Sequence, residues 1–99
     1  MSSIQDLKSQ IIAFCRQELE VSAFLNRFME IYVEELPEDE LNGLPPTEKA
    51  LLESIYDTLY DWAEDPSEQD EKNGLLSTQR VFQKIAAEVK NKTTWLEAS

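Results

Sequence analysis

The chain has 99 residues, 41% of them hydrophobic, with Gly 2, Pro 4, one cysteine, no histidine and a formal charge of −11. That size suits one domain with a modest core, and so little glycine and proline argues against a turn-rich β protein. A charge this negative argues against binding nucleic acid or an anionic membrane, both of which need Lys and Arg to displace counterions. It favours a basic partner, or simply high solubility.

The first expected helix covers about 4–17. Ser3 reads as its N-cap, Asp6 sits well in the first turn, and Ile4, Leu7, Ile11, Phe14 and Cys15 repeat at helical spacing. Cys15 reads as a small buried hydrophobe, because nothing cationic lies near it in sequence to activate a thiolate. A lone cysteine also excludes an intramolecular disulfide.

The second helix covers about 23–36 and opens at Ser22, with Val21 placed to staple onto its first turn. Phe24, Leu25, Phe28, Met29, Ile31, Tyr32 and Leu36 form its apolar face. Asn26, Arg27, Glu30 and Glu34 point away, and Arg27 can pair with Glu30 one turn on. Pro37 ends it. A loop, PEDELNGLPP, follows and carries Glu38, Asp39 and Glu40.

The third helix, about 48–64, has two unlike faces. Thr47 is its expected cap and Asp65-Pro66 its expected stop. Leu51, Leu52, Ile55, Leu59, Trp62 and Ala63 gather on one side; Glu53, Asp57, Asp61, Glu64 and Asp65 gather on the other. Tyr56 and Tyr60 fall at the border. Each like-charge pair at i, i+4 costs roughly 0.2–0.5 kcal/mol, so helix stability alone would favour mixed signs here. The ridge is therefore either a docking surface or a plain solvated face, and the tyrosines either anchor a partner or cap the core. Trp62 reads as core.

Charge placement favours docking. The segment from Glu30 to Glu71 holds 15 acids against one base, Lys49, whereas the rest of the chain holds 5 acids and 8 bases. The polar stretch PSEQDEKNG adds Glu68, Asp70 and Glu71. It does not fit a calcium loop, since a loop starting at Asp65 needs its glycine sixth and Gly74 is tenth.

The fourth helix covers about 78–91, capped by Ser77 or Thr78, with Val81, Phe82, Ile85, Ala86 and Val89 as its stripe. The tail 92–99 either folds back through Trp95 and Leu96 or hangs loose. The expected fold is all-α: a small, largely antiparallel four-helix bundle, with most core aromatics on the second and third helices.

Catalysis has little to stand on. Without histidine there is no commonest general base or metal ligand, Cys15 has no partner, and Gly43 and Gly74 cannot build a phosphate loop. The expectation is no enzyme, no metal and no cofactor. No apolar run is long enough to span a membrane and no signal-peptide pattern opens the chain, so a cytoplasmic protein is expected.

Four stretches in order carry a family resemblance: SAFLNRFMEIY, LLESIYDTLYDWAEDP, the NGLL after the acidic loop, and TQRVFQKIAAEV. Together they resemble the bacterial self-protective colicin-like immunity family, of the colicin D immunity type, and its relatives in contact-dependent growth inhibition. The resemblance spans Ser22 to Val89. It implies a small four-helix protein that neutralises a cognate basic nuclease toxin, a tRNase, by laying acids where tRNA phosphates would lie. Carried over on the third-helix motif, Glu53, Asp57, Asp61, Glu64 and Asp65 become contact acids, with Tyr56 and Tyr60 as anchors and Glu68, Asp70 and Glu71 as further contacts. An alternative is an acidic helical adaptor, or a nucleic-acid mimic, that binds another basic protein.

Overall fold

In the computed structural model, which describes residues 3–97, the fold is all-α. Helix α1 runs Ser3–Cys15 and α2 runs Val21–Met29. Helix α2 continues without a break as a π-helical turn, Glu30–Glu35. Then come α3 (Glu38–Asn42), α4 (Pro46–Tyr60), α5 (Glu68–Lys72) and α6 (Thr78–Lys92). The four long elements are those expected; α3 and α5 lie inside segments expected to be loops.

Periodicity explains the core. Leu7, Ile11 and Phe14 of α1, Phe24, Phe28 and Ile31 of the second element, Leu51, Leu52, Ile55 and Leu59 of α4, and Val81, Ile85 and Val89 of α6 are buried together. Helix α6 packs on α4, α1 and α2, while α1 packs on α2 and its π extension. The fully buried aromatics are Phe14, Phe24 and Phe28, so α1 and α2 supply them and α4 supplies none, contrary to expectation. Phe14 and Phe24 stack with centroids 4.4 Å apart, and Phe82 meets Phe14 edge-on at 5.7 Å.

The helix boundaries shift for local reasons. Glu20, not Ser22, is the N-cap of α2, and Val21 is its buried first residue. Ser3 lies within α1, not before it. Pro45 takes the N-cap position of α4 and Pro46 its first turn, where a missing N–H costs nothing; Thr47 is one residue inside. Helix α1 closes with Gln17 at φ 63°, while Gln17 N–H donates to the Phe14 carbonyl (3.0 Å) and Glu18 N–H to the Ala13 carbonyl (2.9 Å). That pair of bonds is a Schellman cap, in which glycine is the usual left-handed residue.

The π turn is the main departure inside an expected helix. Leu36 N–H donates to the Ile31 carbonyl, five residues back, at 2.7 Å. Leu36 is partly buried, whereas Glu35, one ordinary helical turn after buried Ile31, is exposed. Pro37 then disfavours helix at Leu36, which is extended at ψ 117°. Arg27 secures the turn: its guanidinium donates to Glu30 (3.0 Å), Glu35 (2.9 Å) and, across to α1, Asp6. The hydrogen bond to Asp6, and then the charges of Asp6 and Glu35, raise the guanidinium above its ordinary value against the opposing effect of burial.

Helix α4 ends at Tyr60, earlier than Asp65-Pro66 would require. Beyond it the chain forms a single parallel bridge: Leu76 N–H donates to the Asp61 carbonyl (2.8 Å) and Ala63 N–H to the Leu76 carbonyl (2.9 Å). Trp62 is therefore off the helix and only partly buried, with Nε1–H donating to Thr78 Oγ1 at 3.0 Å. Thr58 takes a buried place on α4 instead, its hydroxyl donating to the Ser54 carbonyl (2.8 Å). The tail folds back: Trp95 and Leu96 pack on the core, and Lys8 Nζ sits 5.0 Å from the Trp95 ring centroid.

Candidate functional site

Helix α4 presents Glu53 and Asp57 as exposed carboxylates, with Asp61 exposed at its C-cap. None of the three has an ion pair among the described residues. Lys49, the one base in the acidic segment, instead donates to the Asn42 side-chain carbonyl at 3.3 Å. The last turn of α4 carries no base.

Placement along the helix separates this ridge from the other acids. Glu38, Asp39 and Glu40 occupy the first turn of α3, and Glu68, Asp70 and Glu71 the first turn of α5. Acids there complement the positive end of a helix and have a structural reason to exist. Asp70 has a second one: its Oδ2 accepts from Ser67 N–H (3.1 Å) while Ser67 Oγ accepts from Asp70 N–H (3.2 Å), a complete capping box. Asp57 and Asp61 are opposite in kind. They crowd the negative end of α4, where each anion costs about 0.3–1 kcal/mol.

A row of aromatic rings reaches the surface beside this ridge. From buried Phe28 the row passes to Tyr32 (centroids 5.3 Å apart), then Tyr56 (5.7 Å), then Tyr60 (6.4 Å). The two tyrosines of α4 divide the roles expected of them. Tyr56 is partly buried against the core, while Tyr60 is 75% exposed. Tyr32, read from sequence as plain core, joins the site. Its phenol is pushed above the ordinary value first by burial, then by the charges of Glu53 and Asp57 and by Tyr56. The Tyr32–Tyr56 ring contact sets the π turn beside the acidic ridge.

Glu64 and Asp65 do not extend the ridge along a helix, because α4 has already ended. With Glu68 and Glu71 of α5 they are exposed on the segment between α4 and α6, whose base is tied by the Trp62–Leu76 bridge. Eight of the ten expected contact residues are exposed, Tyr56 and Asp70 being the partly covered pair. Sequence reading missed Val33, which is 61% exposed and lines a shallow groove with Asn26, Met29, Glu30 and Glu34. The signal was present in Glu30 and Glu34, one turn apart beside an apolar residue on the polar side of the helix.

No group of three or more acids and cysteines among the described residues is arranged to hold a metal, and no described helix is long and apolar enough to cross a membrane. Cys15 is partly buried, and burial pushes its thiol up to about 11. The chain matches no protein-family model, no curated protein and no solved structure.

Proposed function

We propose that this protein is an immunity protein. It binds a cognate basic nuclease toxin, a tRNase, and covers the toxin's active-site cleft with the acidic surface centred on α4. The observation that carries the reading is the series Glu53, Asp57 and Asp61, without an ion pair among the described residues, running to the negative end of α4 beside exposed Tyr60. Local stability opposes that arrangement, whereas a positively charged partner rewards it. The resemblance over Ser22 to Val89 supports the same reading.

The mechanism needs no catalysis and no cofactor. A nuclease is basic around its substrate groove, since it must hold phosphates. A complementary acidic surface raises the encounter rate at low salt and selects one partner against others. Tyr60, with its ring already exposed, supplies an aromatic anchor; residues of this kind can cost about 2 kcal/mol or more on truncation. Its place of action is the cytoplasm, where tRNA is cut.

The test is a binding titration against the C-terminal domain of the polypeptide encoded directly upstream, at low and high salt, beside a tRNA-cleavage assay. Tight 1:1 binding that weakens with salt and stops cleavage is the expected result. Binding that leaves cleavage intact, or no binding, would overturn it.

A further inference from the structure

A second surface lies where the α1–α2 turn meets the start of α6. A cleft of about 480 Å³ opens there, within the usual size range of ligand pockets. Leu19, Val21, Trp62 and Phe82 supply apolar walls, and Glu20 and Glu64 stand among them. Among the described residues no lysine or arginine lines it. The Trp62 ring is fixed, because its Nε1–H is engaged by Thr78. Among the described residues neither Glu20 nor Glu64 has an ion pair, and both are exposed.

We infer that this cleft receives an arginine side chain from a basic protein partner, its guanidinium between Glu20 and Glu64 and its stem along Trp62 and Phe82. Three features select that occupant. Leu19, Val21, Trp62 and Phe82 offer apolar surface on which an aliphatic stem can lie. A planar guanidinium is weakly hydrated, stacks on aromatic faces and forks onto carboxylates, which a lysine ammonium does less well. The first turns of α2 and α6 also line the cleft and contribute about half a positive charge each, but two carboxylates outweigh them and leave the cleft negative. A carboxylate or phosphate ligand is thereby disfavoured. The inference goes beyond the α4 surface and does not require the partner to be a nuclease.

The experiment is an NMR titration of the full chain with N-acetyl-arginine amide, followed at the two tryptophan indole N–H resonances. Trp95 lies against α1 and serves as the internal control. The expected result is a saturable shift of the Trp62 indole, little change at Trp95, and no comparable response to the citrulline analogue, which keeps the shape and lacks the charge. The double variant Glu20→Gln/Glu64→Gln is expected to weaken binding about threefold or more, in line with exposed ion pairs. An equal response to citrulline or to N-acetyl-lysine amide would overturn the assignment, as would equal shifts at both tryptophans or no shift at all. Because the probe is a small molecule, this outcome is independent of whether a toxin binds at α4.

Discussion

Tyr32 in the π turn and Tyr56 on α4 hold their rings 5.7 Å apart, and this pair joins the acidic ridge to the core. Tyr56 is thus both structural and adjacent to the site, whereas Tyr60, next in the row, is mostly in solvent. Tyr56→Ala is expected to cost about 2 kcal/mol of stability through lost burial and ring contacts. Tyr60→Ala is expected to change stability by less than about 0.5 kcal/mol, yet to weaken toxin binding by about 2 kcal/mol, or roughly thirtyfold. Urea unfolding and a binding titration on both variants separate the two effects.

The acids of α4 offer a sharper dissociation. Asp57→Lys and Asp61→Lys replace anions at the negative helix end by cations, so each is expected to raise unfolding free energy by about 0.3–1 kcal/mol. Toxin affinity should fall in the same variants, and its salt dependence should flatten. A variant that gained stability and still protected against the toxin would show that the ridge is not the contact surface.

Gln17 sits in the left-handed region at φ 63°, where a side chain is strained and glycine is not. Gln17→Gly is expected to stabilise the protein by about 0.5–1 kcal/mol, the relief of strain exceeding the added flexibility of the unfolded chain. Gly74 makes the reverse case at φ +99°: Gly74→Ala should destabilise by about 1 kcal/mol even though no atom lies within 4 Å of the added carbon. Thermal and urea unfolding of the two variants should move in opposite directions.

Two groups make stability fall at alkaline pH. The Cys15 thiol is raised from 9.0 to about 11 by burial, and the Tyr32 phenol is raised above its ordinary 10.0, first by burial. Each holds its proton longer in the folded chain than in the unfolded one. Their contribution is therefore complete below about pH 9 and is lost as pH climbs through the folded values. The urea midpoint should drop between about pH 9 and 11, and Cys15→Ala should remove the earlier part of that drop. At pH 8 only about one thiol in a thousand is ionised, so alkylation by iodoacetamide should be far slower than for a free cysteine.

Periodic patterns were legible without the fold. The apolar stripes of α1, α4 and α6 named nearly every buried residue on those helices, because a 3.6-residue repeat is a local property of the chain. Ser77 was equally readable: its hydroxyl accepts from Arg80 N–H at 3.3 Å, a bond that needs only three neighbouring residues. The bias of acids towards the middle of the chain is likewise a property of composition alone.

The places where local reading failed are those set by contacts distant in sequence. Asp65-Pro66 marks where α4 must have stopped, but the bridge from Asp61 and Ala63 to Leu76 draws the chain off the helix sooner and turns Trp62 towards Thr78. The π turn is closed by the Leu36 N–H to Ile31 carbonyl bond and accompanied by Arg27, which binds carboxylates on two elements, an arrangement no single-helix period encodes. Local pattern was enough to show that the chain is helical, to name most of the aliphatic core and to reveal an uncompensated acidic ridge beside two tyrosines. It took the packing of the elements to set which tyrosine is exposed, to bring Tyr32 beside them, and to line one cleft with Glu20 and Glu64, 44 positions apart. Secondary structure follows from neighbours along the chain, whereas a surface is made by whichever elements the core brings together.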